Sequence, residues 1–72
     1  MDDNEKTRLR TRLGYWIEHN MEHSQEFKEW AGKAKASGET EAGEDMLLAA
    51  QEMDKASEIL SQALKRLSKE ER

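Results

Sequence analysis

The sequence predicts an all-α protein: an antiparallel two-helix hairpin that dimerises into a four-helix bundle. Three observations carry that prediction. Proline is absent and β-branched residues are confined to Thr7, Thr11, Ile17, Thr40 and Ile59, whereas strands draw on many more of them. Seam residues recur at alternating steps of three and four along two long stretches, the period of helices with one buried stripe each. A single break, Lys35-Ala36-Ser37-Gly38-Glu39-Thr40, separates the stretches.

Helix one is expected over about 5–36. Its stripe runs Leu9, Leu13, Trp16, Asn20, His23, Phe27, Trp30 and Ala34. The turn falls at about 37–40, where Gly38 supplies a positive φ and Thr40 or Ser37 caps the next helix. Helix two, about 41–69, has the stripe Ala42, Met46, Ala49, Met53, Ala56, Leu60, Ala63 and Leu67. Glu39, Glu41, Glu44 and Asp45 lie near its start and Lys65, Arg66, Lys69 and Arg72 near its end, the signs that the helix dipole favours. Gly14, Gly32 and Gly43 fall inside the helical pattern, each at a cost of about 1 kcal/mol relative to alanine. A short connection between long helices makes an antiparallel hairpin, a single domain over 1–72.

Helix one contributes bulk to the seam and helix two alternates alanine with methionine or leucine, which suits interdigitated packing. The expected interface core is Leu13, Trp16, Phe27, Trp30, Met46, Met53, Leu60 and Leu67. Flanking Ile17, Met21, Leu47, Ala50, Ile59 and Leu64 widen the stripe beyond what one neighbouring helix covers. A twofold homodimer buries the remainder.

Composition bounds the function. The chain has 72 residues, 35% hydrophobic and 39% charged, near the lower limit for a self-sufficient core. Without cysteine, disulfides, thiolate zinc sites and cysteine nucleophiles are excluded. A formal charge of −4 weighs against a dedicated nucleic-acid binder. No apolar run approaches membrane-spanning length and the acidic start lacks a signal core, so a cytoplasmic protein is expected, with no membrane partner. No nucleophile–base pair, phosphate loop or catalytic carboxylate pair is legible, and no enzymatic activity is expected.

The most informative stretch is His19-Asn20-Met21-Glu22-His23. Residues four apart stack on one helical face, and His19, Glu22, His23 and Glu26 share that face. Imidazole nitrogens with carboxylate oxygens suit a divalent transition metal such as zinc or nickel. In a hairpin turning near Gly38, residue i lies opposite roughly 75 − i, which brings Glu52 to the height of His23 as a fifth candidate ligand. The competing reading needs no ligand: Asn20 and His23 are polar residues in an apolar seam, of the kind that fix register and oligomeric state. Two histidines near a dimer axis would also repel when charged. At the open end, Lys6, Arg8, Arg10 and Arg12 come beside Lys65, Arg66, Lys69 and Arg72, a third and weaker reading as an anion or nucleic-acid site. Acidic neighbours dilute that cluster.

The run Trp16-Ile17-Glu18-His19-Asn20-Met21-Glu22-His23, continuing to Phe27 and Trp30-Ala31, resembles the Trp-Ile-x-His-Asn-x-x-His signature of a small prokaryotic helical-hairpin family with no assigned activity. The second half, from Glu44 to Leu67, is similar to that family's second helix. The resemblance implies that the Trp–His–Asn–His region works as one unit, and it implies no activity. The expected function is therefore a small non-enzymatic, homodimeric interaction or accessory module that engages a protein partner. The alternative is a metal-binding protein built on His19 and His23.

Overall fold

We describe residues 1–70 of a computed structural model, with side chains as far as Ser68. They form two helices and no strand: α1, Asp3–Ala36, and α2, Thr40–Glu70. The start of α1 is capped by Asp2, whose carboxylate accepts from the Glu5 amide at 2.8 Å. That satisfies one of the amides a helix leaves unpaired at its first turn. At the other end Gly38, at φ 93°, reverses the chain. The Gly38 amide donates to Lys35 O at 3.1 Å and the Glu39 amide to Ala34 O at 2.8 Å, a Schellman closure that only a left-handed residue permits without strain.

Ser37 serves this closure and not the next helix, because its hydroxyl donates back to Ala34 O at 3.0 Å. Thr40 is already the first residue of α2. The first α2 bond, from the Gly43 amide, goes to Glu39 O at 3.0 Å. Neither Ser37 nor Thr40 therefore caps α2 in the way the sequence suggested.

The helices pack side by side along their length. Ser24 reaches Ala50 and Ala31 meets Gly43, a register in which residue i stands opposite roughly 74 − i. The contact line is Leu13, Ile17, Ser24 and Ala31 against Gly43, Ala50 and Ser57; all but the half-buried Ile17 are buried. Relative to the expected seam it is displaced by one position wherever the two differ: Ile17 stands in for Trp16, Ser24 for His23, Ala31 for Trp30, and Ala50 for Ala49.

Small residues explain the shift. With Gly, Ala and Ser at the crossing, the backbones come close enough that a Cβ on Gly43 would stand 2.9 Å from Ala31 O. Of the expected interface core, Leu13 is buried and Phe27, Met46, Met53, Leu60 and Leu67 are half-buried. Trp16 and Trp30 lie outside the contact, 41% and 57% exposed.

The result is a thin rod whose Cα atoms extend over 53 × 14 × 14 Å, with a radius of gyration of 16.3 Å. A compact domain of this length would have about 11 Å. Only Leu13, Ala31 and Ala50 are fully buried hydrophobic residues among those described. No described helix is long and apolar enough to cross a membrane.

Candidate functional site

Helical geometry places one row from each helix on the same side of the rod, while Met21, Leu48 and Ile59 are exposed away from it. At about 100° per residue, Leu9, Trp16, His23 and Trp30 project from α1 nearly perpendicular to the plane of the two axes. In an antiparallel pair, Ala42, Ala49, Ala56 and Ala63 of α2 project the same way. The half-buried Met46, Met53, Leu60 and Leu67 lie between the two rows. Trp30 and Met46 line a common hollow, which fixes both helices' rows on the same side. These rows are the two seams legible in the sequence, set side by side and not against each other.

Along α1 this face carries an aromatic ladder at four-residue steps. Tyr15 and His19 are stacked, with ring centroids 5.4 Å apart and planes at 16°. His19 and His23 meet edge to face at 4.3 Å, and His23 leans on Phe27 at 6.2 Å. The two imidazoles share a hydrogen bond of 2.9 Å between their Nε2 atoms, so one nitrogen donates and the other accepts. Glu26 Oε2 stands 4.0 Å from His23 Nδ1, beyond hydrogen-bond length. Lys33 Nζ sits 4.3 Å over the Trp30 ring, a cation–π contact at the edge of the face.

The candidate ligands are thus only partly assembled within one chain. His19 and His23 come together with Glu26 beside them. Glu22 shares an exposed hollow with Tyr15, Glu18 and His19. Glu52 stands at the height of His23 but about 160° round α2 from Ala50, where its carboxylate accepts from Lys55 Nζ at 3.3 Å. Among the described residues, no three His, Asp or Glu side chains gather as a metal-holding group. The expected five-residue set does not close on itself. Asn20 is half-buried between the contact line and the open face, the placement of a polar seam residue.

On the opposite side of the rod a polar clasp joins the helices, one that the sequence reading missed. Ser24, 2% exposed, donates to Asp54 Oδ1 at 2.6 Å, with Ala50 O a longer second arm at 3.3 Å. Lys28 Nζ donates to Asp54 Oδ2 at 3.1 Å. The Ser24 hydroxyl first, and then Lys28, hold the Asp54 carboxyl below its ordinary pKa, because both bond the ionised form. The signal available was the seven-residue string Gly43, Ala50, Ser57, which marks a close helix crossing and puts Ser24 inside it.

At the open end of the rod, Arg10 Nη2 donates to Thr7 Oγ1 at 3.1 Å within its own helix. The Lys69 side chain and Arg72 lie outside the described residues, so the basic cluster is described only in part.

A family model described as a domain of unknown function, DUF8180, matches residues 9–67. The chain belongs to this family. The matched span begins at Leu9 and ends at Leu67, taking in the aromatic ladder, the clasp and the alanine row. No curated protein matches the chain. No solved structure matches it.

Proposed function

We propose that this member of the DUF8180 family is a non-enzymatic interaction module that works as a homodimer, its apolar face closed by a second copy. The observation that supports this reading most directly is the self-complementary spacing of that face. Large residues stand every seventh position on α1, at Leu9, Trp16, His23 and Trp30, and alanines every seventh on α2, at Ala42, Ala49, Ala56 and Ala63. In the hairpin's own register the heights of Trp16, His23 and Trp30 fall in the gaps between successive alanines. A twofold axis parallel to the helices lays α1 of each copy on α2 of its partner at unchanged height, so each large side chain enters a hole. Every neighbouring pair in that four-helix bundle runs antiparallel, which also pairs opposite dipole ends.

Exposed area supports the same reading. The chain leaves 5624 Å² accessible, against about 4,600 Å² for a compact monomer of its mass. The excess, roughly 1,000 Å², is near the ~800 Å² that each partner of a standard interface buries. The outer faces of the bundle are then the surfaces offered to a protein partner. The reading places the module in the cytoplasm and takes the Trp16–His23 run as the family's signature.

Light scattering or native mass spectrometry of the full chain at micromolar concentration tests the proposal. A mass of twice 8.4 kDa is expected. A chain that stays monomeric yet fully helical across that range refutes it.

A further inference from the structure

His19 and His23 present two nitrogens to one point and find no third ligand among the described residues of their own chain. Their Nε2 atoms are 2.9 Å apart. At zinc–nitrogen bonds of about 2.05 Å, a tetrahedral site requires about 3.3 Å between the two nitrogens. A widening of about 0.4 Å, within reach of small χ rotations, converts the shared hydrogen bond into a chelate. Zinc would take the place of the bridging proton, which moves to Nδ1 of the donating ring so that both imidazoles bind as neutral ligands.

The dimer just proposed supplies the missing group. In it α2 of the partner lies over α1, and residues on its outer edge meet residues on the outer edge of α1. His19 projects toward that edge, and Glu52 projects toward the corresponding edge of α2 at the height of residues 22 and 23. Within one chain the two edges lie on opposite margins of the rod; across the dimer they coincide. Glu52 is free to turn, since its side chain is 72% exposed and its only described partner is Lys55, one turn away.

We propose that His19 and His23 of one copy and Glu52 of the other bind a borderline divalent transition cation of the zinc or nickel class, two per dimer, bridging the subunits. This rests on the dimer reading above. Two imidazole nitrogens and one carboxylate oxygen form a three-ligand set that leaves the fourth position to water. Glu26 has a different role from the one its spacing suggests. Turned to close its 4.0 Å gap to His23 Nδ1, its carboxylate would accept the Nδ1–H and leave the Nε2 lone pair for the metal, as carboxylates behind metal-binding histidines do.

Native mass spectrometry with zinc alone tests the site on the full-length chain and three variants, each checked for helicity by circular dichroism. Wild type is expected as a dimer carrying two zinc ions, and His19→Ala/His23→Ala as a dimer carrying none. Glu26→Gln weakens zinc binding on the order of tenfold. The decisive sample mixes His19→Ala/His23→Ala with Glu52→Gln at a zinc concentration where neither homodimer is loaded. The mixed dimer has one intact site made from both chains, and holds one zinc. A same-chain site would leave it empty.

A wild-type dimer that ignores zinc overturns the metal site and leaves the dimer standing. Glu52→Gln homodimers loaded like wild type overturn the bridge between chains. A chain monomeric with and without zinc overturns the dimer and the site together.

Discussion

At Gly43 the two backbones approach so closely that a Cβ would meet Lys35 Cγ at 2.7 Å and Ala31 O at 2.9 Å. The lysine can swing away, but the carbonyl belongs to a helix and cannot move alone. Gly32 sits in the exposed part of α1, where a Cβ would find nothing within 4 Å. Replacing Gly32 by alanine is therefore expected to stabilise the fold by about 1 kcal/mol, the difference in helix propensity. Gly43→Ala forfeits that gain by prying the helices apart, and is expected to lower the urea midpoint. Equal midpoint shifts in the two variants would rule out the close crossing.

Asp54 gives a second test at this scale. Its folded pKa is depressed, so its contribution is present above the ordinary aspartate value, about 3.9. That contribution is lost as pH falls through the lower, folded value. Stability should decline on acidification below about pH 4, and the decline should be shallower in Asp54→Asn, as chemical denaturation at pH 7 and pH 3 will report. Ser24 itself was not legible as part of this clasp. Read as a string, the sequence puts His23 in the seam, and nothing local distinguishes it from its neighbour one residue on.

Elements were the most legible level, because their signals are local. The absence of proline, the three–four spacing and the lone glycine break follow from the chain within a few residues of each position, and two packed helices are what they form. Gly38 carries the turn through its positive φ. Gly38→Ala forces a side chain into the left-handed region at a cost of about 1–2 kcal/mol, which a thermal melt should show as a lowered midpoint. The capping detail was less legible. Ser37 and Thr40 are both good cap residues, and only the Schellman closure shows Ser37 spent on the end of α1.

Across the whole molecule the governing fact is a face too apolar for a rod with so small a core. If a second copy covers it, a charge in the alanine row should be far more damaging than one elsewhere. Ala49 is exposed in the single hairpin, so Ala49→Glu leaves the hairpin contact untouched while filling the hole between Trp30 and His23 of the partner chain. It is expected to convert the dimer to monomer in light scattering, whereas Gln51→Glu, on the other flank of α2, leaves the mass unchanged. A dimer retained by both variants would remove the alanine row from the interface. The zinc experiment belongs to this scale too, since the proposed site would form only where two chains meet.

The sequence by itself determined that two long helices form, where the chain turns, and that one stripe on each is apolar. Propensity, capping and period are properties of neighbours along the chain, so a linear reading reaches them. Only the tertiary structure decided which edge of each stripe faces the hairpin partner. A helix in a bundle has two neighbours and hence a stripe wide enough for both, and its period is nearly indifferent to a shift of one position. Side-chain volume breaks the tie: Gly43, Ala50 and Ser57 let α1 come close, so that line became the contact. The tryptophans, the histidine ladder and the alanine row were left on the open face.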